Sequence, residues 1–565
     1  MPPVSKTCQS CADSKMPAFK ERMSLSPDWS PIQRLPKGSR IAALESKINE
    51  PTVDQVGLGN TEHFVPLSDG ESAIKDIISR GVLDVETAER YLSNFKTKML
   101  PHFCFVTVPP AVSAKQLRQK KPFLFLAILV ASSYENMPLQ RALGHEFKSL
   151  VASRMVVGGE VSFELLQGLL VFLAWSHYHS KPQRYTQSLH LAVSLVVDLR
   201  LDRPPQTKMW KTGLRFGPQH DSQDKTLTRP SWGRDEQRAV LGCYYLSASV
   251  AMLVQKISTI PRLPYYEECC KALLEANEHL HDKYMTYVIQ LQFIAGKIDN
   301  LSSKHTLDLE KPGSGSELYI TSLNSDLEVF RRRLPFDIYE SRMYRALLAI
   351  QYHATGLCLY QLALNISGQH SQPHSTFDPV SLSLRDEMSM SAIVSATSIL
   401  NLYIDSPSNE EVGFNNTQWV QMGVALLVAY RHTVAADKPD QTASFLSTLS
   451  KLESRTGALS TASVDTNGAR DIFFNFEKRV VQIRRWVEEL NKRQEEMSHA
   501  RTDAFQQQQT LYSDLIDFDI NGLMRATGQL DGSLWDSLPV ETSASQVFAG
   551  FSYAPSIEQM MGDWV

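Results

Sequence analysis

The chain lacks the cysteine framework of a secreted protein: its seven cysteines, Cys8, Cys11, Cys104, Cys243, Cys269, Cys270 and Cys358, are odd in number and scattered over 565 residues. Disulfide-stapled domains are short and cysteine-dense, so a reducing compartment is expected. No apolar run approaches the roughly 18 to 20 residues that cross a bilayer. The first residues are polar and proline-bearing, without the apolar core of a signal peptide. No membrane partner is therefore expected. Excess charge of one sign is also missing, since 57 Lys and Arg face 61 Asp and Glu for a formal net charge of -4. Global charge thus argues neither for nor against nucleic acid.

Catalytic signatures are missing too. Gly57-Leu58-Gly59 has no third glycine, His145-Glu146 has no second histidine on its helix, and no phosphate loop, serine elbow or DDxxD run occurs. An enzyme is not expected.

What is present is helix. In VSFELLQGLLVFLAWSHYHSKPQRYTQSLHLAVSLVVDLRLDRPP, from Val161 to Pro205, Leu165, Leu166, Leu169, Leu170, Leu173 and Trp175 crowd more than one face. Glu164 and Gln167 interrupt the run where a membrane span would not tolerate them, which makes this a buried core helix. Beyond Lys181-Pro182, Leu189, Val193, Val196, Val197 and Leu199 predict a second helix, ended by Arg203-Pro204-Pro205 because proline forces an extended exit. Phe476, Val480, Ile483, Val487 and Leu490 alternate spacings of four and three, an amphipathic helix that reads as a closing helix of the core or, over fewer than three or four heptads, as a partner-binding coiled coil. Similar signals lie at Ala392 to Ile404 and Trp419 to Tyr430. With no strand-turn-helix alternation, the fold class is all-α. At 565 residues the chain exceeds the roughly 250 to 300 at which one core stops growing, so a large helical array with appendages is expected.

LLQGLLVFLAWSHYHSKP followed by LAVSLVVDLRLDRP resembles the middle homology region of fungal binuclear zinc-cluster transcription factors, whose DNA-binding module holds two zinc ions with six cysteines. Pro122 to Ala131 (PFLFLAILVA) resembles the family's opening core helix. Leu241 to Ser247, Tyr265 to Cys270 and the LEVFRRRLP stretch ending at Pro335 follow in order, and the likeness covers roughly Phe95 to Leu364. The resemblance implies a nuclear transcriptional regulator, frequently of a biosynthetic or metabolic gene cluster, that meets promoter DNA directly or through a partner as a family homo- or heterodimer.

The head departs from that pattern. Cys8-x2-Cys11 in KTCQSCADSK is how the family's cluster begins, but its third cysteine would fall at Ala18 and the next cysteine is Cys104. Two thiolates cannot hold two zinc ions. Zinc is implied only if the native gene product has an intact head. Met16 to Ser39 thus stands in place of the remaining cluster, through genuine loss, alternative splicing or an erroneous gene model. Arg40 to Glu50 resembles the family's short dimerisation helix, with Ile41, Leu44 and Ile48 at a, d and a spacing, and reads equally as an ordinary amphipathic helix. Lys15, Arg34, Lys37 and Arg40 are candidates for DNA-backbone contacts, which alone give weak, salt-sensitive affinity. A second reading is a non-DNA-binding interaction protein, a dimer partner or corepressor of intact family members.

Residues 501 to 565 carry two Arg against nine Asp and Glu, whereas residues 1 to 50 carry eight Lys and Arg against five acids. In the tail, Leu511, Leu515, Ile516, Phe518, Leu534, Trp535 and Leu538 interleave with aspartates. That is the composition of a disordered activation segment offered to a coactivator groove. The expected organisation is a partly disordered head remnant over residues 1–39, a short helix over 40–50, a linker over 51–94, a helical middle region over 95–495 and an acidic tail over 496–565. Polar stretches at Arg203 to Arg234 and Asn365 to Asp386 read as surface insertions, and His370 and His374 in the latter as solvated residues.

Overall fold

The computed structural model describes residues 77–179, 185–204, 233–254, 260–307, 315–335, 341–369, 379–436, 439–461, 464–465 and 468–503. Among them the regular elements are helices, with no strand. The all-α expectation holds.

Chain entry is set by local capping. Helix α1 (Val85–Asn94) starts where the Asp84 carboxylate accepts the Thr87 N–H at 2.8 Å. Helix α2 (Ala114–Lys120) starts on a reciprocal Ser113 and Gln116 capping box. Helix α1 buries Ala88, Tyr91 and Leu92 inside the stretch read as linker, so the helical body takes it in.

Helix α3 (Pro122–Ser132) buries every residue from Phe123 to Ser132, with proline in its first turn where the missing N–H costs nothing. It packs on α4 (Met137–Val151) and on α5 (Phe163–Ala174). Helix α5 buries all ten residues from Leu165 to Ala174, so it is the core helix that its leucines predicted. The two polar residues that exclude a membrane span have specific partners. Glu164 accepts the Phe123 N–H at 2.6 Å, capping α3, and Gln167 accepts from Lys121 Nζ at 2.8 Å. Gly168 lets the two helices approach, since a Cβ there would lie 2.5 Å from the Phe123 ring. Each buried leucine of α5 contributes about 1.5–3 kcal/mol by transfer from water.

The second helix of this pair, α6 (Tyr185–Asp198), differs from expectation in two ways. Its core stripe is Leu189, Ala192, Leu195 and Val196, while Val197 is 50% exposed, because at 100° per residue Val197 rotates off the buried face. It also ends before the prolines. Arg200 takes a left-handed φ of 57°, and the Leu201 N–H bonds back to the Val196 carbonyl at 2.8 Å, a Schellman-type stop.

The central layer is α7 (Arg234–Val254), α8 (Tyr265–Ala276), α9 (Leu280–Leu307), α10 (Gly315–Arg333), α11 (Arg342–Gln369), α12 (Pro379–Ile404) and α13 (Asn416–Ala436). Helix α7 packs on α5, α9 and α13; α9 packs on α8, α10 and α11; α11 and α12 pair along their length. Helix α11 runs through Gln369 and α12 begins at Pro379, so helix occupies much of the stretch read as an insertion. Helices α14 (Pro439–Gly457) and α15 (Ile472–Asp503) close the array. Phe476, Val480, Ile483 and Val487 of α15 are buried, which makes it a closing helix. No described helix is long and apolar enough to cross a membrane.

Candidate functional site

Three stretches far apart in sequence meet at the centre of the body. The first follows α1, where Phe95–Met99 widens into a π turn and Leu100–His102 tightens into a 3-10 turn. The second is the 3-10 turn Ser176–Tyr178 after α5, and the third is the 3-10 turn Glu410–Gly413 before α13. Trp175 Nε1 donates to the Gly413 carbonyl at 3.1 Å, and the Tyr178 hydroxyl donates to the Val412 carbonyl at 3.0 Å. Asn415 Nδ2 donates to the His102 carbonyl at 2.6 Å.

The start of α13 explains why these groups are buried. The Asn415 side chain accepts the Gln418 N–H at 3.0 Å, and Gln418 Oε1 accepts the Asn415 N–H at 2.9 Å while facing His102 Nδ1 at 3.1 Å. A helix terminus leaves backbone groups without intrahelical partners; here Asn415 and Gln418 satisfy them locally, and the same two side chains reach the ring and carbonyl of His102, more than 300 positions away. The Tyr403 hydroxyl donates to the Gln418 carbonyl at 2.8 Å, adding α12 to the joint. Aromatic faces enclose it: Phe95 and Phe103 meet Trp175 edge-on, and Phe414 lies against Trp419 and Tyr403.

Burial sets the ionisation. It pushes His102 down to about 4, against a small upward pull from Gln418, and His177 down to about 3. Both are neutral at neutral pH. His177 is 1% exposed, and His179 stacks on Phe172 with centroids 4.9 Å apart, so both pack at this turn. Glu411 is buried and raised by desolvation, and its partner Arg455 also donates to the carbonyls of Ile404 and Ser406 at 3.0 Å. Arg455 thereby ties the end of α12 to the turn before α13.

A second buried cluster holds the N-terminal end of α7. The Arg238 guanidinium, 1% exposed, donates to both oxygens of Asp282 at 2.7 and 2.8 Å, to Glu278 at 2.8 Å and to Asp235 at 3.0 Å. Burial opposes its charge, but these hydrogen bonds hold it above the ordinary arginine value. Asp282 likewise lies below the usual carboxylate value, because Arg238 outweighs the burial that would raise it. Both joints fix one arrangement of helices, and neither pairs an activated nucleophile with a base.

The remaining cysteines belong to this body. Cys104, Cys243, Cys269 and Cys270 are buried, and Cys358 is partly so. Burial pushes the thiols of Cys243, Cys269 and Cys358 up to about 12, and raises Cys104 and Cys270 as well. Metal-binding cysteines are thiolates. No three His, Cys, Asp or Glu side chains among the described residues group to hold a metal. These five cysteines are packed in the helical body, and the described residues hold no donor set that fits a two-zinc cluster.

Cys8, Cys11, Lys15, Arg34, Lys37, Arg40, Ile41, Leu44 and Ile48 lie outside the described residues, as do His370, His374 and the tail set Leu511, Leu515, Ile516, Phe518, Leu534, Trp535 and Leu538. Arg118 on α2 bonds Ser79 and Arg331 on α10 pairs with Glu328, as ordinary helix-face charges do. Sequence reasoning missed His102, Gly413, Asn415, Gln418 and Arg455. The one available signal was the unbroken polar run Asn415-Asn416-Thr417-Gln418 at a helix start.

Comparison with known proteins places this body. The family model described as the WAR1 C-terminal domain matches residues 62–354. The chain is 35% identical over 519 residues to the transcription factor himD of Aspergillus japonicus, covering 86% of this chain and 84% of that protein. It is 26% identical over 298 residues to the transcription factor opdL of Penicillium oxalicum, covering 51% of each. It is 25% identical over 278 residues to the transcriptional regulator WAR1 of Candida albicans, covering 48% of this chain and 27% of that one. No solved structure matches.

Proposed function

Because the chain belongs to the WAR1 C-terminal domain family, the middle homology region of fungal binuclear zinc-cluster transcription factors, it is a transcriptional regulator, and we propose that it controls a biosynthetic or metabolic gene cluster through a DNA-binding partner. The observation that carries the regulatory part is the likeness to himD, which spans most of both chains. The observation that carries the partner is the cysteine inventory: two in the head and five spent in the helical body.

In this reading the nuclear protein pairs with a family member that has an intact cluster. Specific reading of base edges then comes from the partner's head. The lysines and arginines at Lys15, Arg34, Lys37 and Arg40 add only phosphate contacts, which position without specifying. Ile41, Leu44 and Ile48 form one heptad, too short to dimerise alone, so the rest of the chain must supply interface. The acidic tail from Leu511 to Leu538 engages a coactivator. Within the body, one joint ties the turn after α1 to the start of α13 and another ties the end of α12 to α14.

Deleting the gene and profiling transcripts tests the regulatory role. A contiguous block of genes changing roughly tenfold or more supports it, and an unchanged profile under every growth condition that expresses the gene overturns it.

A further inference from the structure

The loop that leads from α12 into the 3-10 turn Glu410–Gly413 reads Asp405-Ser406-Pro407-Ser408-Asn409. Its other four residues are exposed, and Ser406 is partly so. Ser-Pro occurs three times in the chain, at Ser26, Ser30 and Ser406, and only Ser406 falls among the described residues. A residue before proline is held extended, and the proline itself has a fixed φ and no N–H to pair. Proline-directed kinases select that shape.

Two guanidiniums converge on this loop from different helices. Arg455 Nη2, on α14, donates to Ser406 Oγ at 3.2 Å and to the Pro407 carbonyl at 3.1 Å, while its Nη1 donates to the Ser406 carbonyl at 3.0 Å. Arg342 Nη2, on the first residue of α11, donates to the Asp405 carbonyl at 3.1 Å. Glu410, raised by burial and by Glu411, is drawn back down by both Arg455 and Arg342, so the two cations act on one loop. At the loop their N–H groups are spent on a hydroxyl and on carbonyls, all neutral acceptors. An ionised oxygen in the same place would bond roughly twice as strongly. Glu411 is a competing anion, but Arg455 is bonded to both Glu411 and Ser406 and stands between them.

We propose that Ser406 is a phosphorylation site whose phosphate is held within the chain by Arg455 and Arg342. A proline-directed kinase transfers the γ-phosphoryl group of a nucleoside triphosphate. The bond from Ser406 Oγ to phosphorus forms, the bridging bond between the β- and γ-phosphates breaks, the nucleoside diphosphate leaves, and the hydroxyl proton passes to the kinase's base. The hydroxyl's bond to the Tyr403 carbonyl, 2.7 Å long, is lost. In exchange the phosphate, close to doubly charged at neutral pH, takes an N–H from each arginine. This adds α11 to the tie that Arg455 makes between α12 and α14. Modification is measured on the purified chain, so its failure leaves the transcriptional reading standing.

The test is treatment of the full chain, carrying Ser26→Ala and Ser30→Ala, with a purified proline-directed kinase and magnesium ATP, followed by a phosphorus-31 NMR titration. One phosphate at Ser406, located by mass spectrometry and absent from Ser406→Ala, is expected. Its second ionisation should come at a pH lower by about 1 in the chain than in a phosphorylated peptide of residues 400–412, because nearby cations favour the dianion. Arg342→Gln, a change at an exposed side chain, should return about half of that difference; the peptide supplies the unheld reference whether or not this variant folds. No phosphate at Ser406, or a titration in the chain that matches the peptide, would overturn the site, and a titration unchanged by Arg342→Gln would overturn the hold by two arginines.

Discussion

Substituting Gly413 with alanine probes the central joint with a single methyl group. A Cβ at Gly413 would lie 2.1 Å from the Lys98 carbonyl oxygen and 2.8 and 3.0 Å from Cδ2 and Nε2 of the His102 ring. The nearest of these is backbone, which cannot swing aside, so the turns at 98–102 and 410–413 must separate. Overpacking of this kind costs about 1–3 kcal/mol. Separation also strains the Trp175 to Gly413 and Asn415 to His102 hydrogen bonds, each worth about 1 kcal/mol net. A loss of about 3–5 kcal/mol follows. With an unfolding entropy of about 2.1 cal/mol/K per residue over a body of about 400 residues, that is a Tm decrease of about 4–6 °C. Gly423 supplies the control on the same segment. It lies within α13, and a Cβ there meets nothing within 4 Å. Gly423→Ala should therefore stabilise by about 0.5–1 kcal/mol through helix propensity, raising Tm by about 1 °C. Calorimetry of the two purified variants checks the contrast, and equal Tm values for both would refute the steric reasoning.

Acid should weaken the body through its buried histidines. His102 and His177 have folded values of about 4 and about 3 against 6.5 in the free side chain. Their contribution is full above pH 6.5, falls as the unfolded chain takes up protons below that, and is wholly lost only once pH passes the folded values. At pH 5.5 each costs about 1.4 kcal/mol, so urea midpoints that match at pH 7.5 and 5.5 would contradict this account. Arg238→Met should cost about 3–5 kcal/mol by leaving Asp282 buried without its cation, and adding Asp282→Leu should recover most of it; a double variant as unstable as the single would show the pair is not the cause. Fusing residues 511–538 to a heterologous DNA-binding domain should activate a reporter, and Leu515→Ala with Phe518→Ala should reduce it severalfold; a silent fusion removes the activation role.

The helical class and the core stretches were legible because apolar density reports burial directly. The leucines of α5 and the four-and-three spacing of α15 left little choice. The end of α6 was misread because proline is the visible stop signal, whereas the actual stop is a left-handed Arg200 that any sequence can hide. The long ends of α11 and α12 were missed for the opposite reason: polar residues permit helix without announcing it. The central joint was illegible for a third reason. His102 and Gln418 are separated by more than 300 residues, and hydrogen-bond complementarity at that distance leaves no period to count. The family could be read earlier than the site because ordered apolar motifs accumulate along a chain, while a joint is only a coincidence of a few side chains in space.

The central claim, that this regulator reaches its genes through a partner's zinc cluster, is tested most directly by selection from a random duplex pool with the purified full chain. The selection is run at physiological salt, with and without added zinc. The account predicts no enriched sequence in either case, and zinc-dependent enrichment of CG-rich triplets would contradict it.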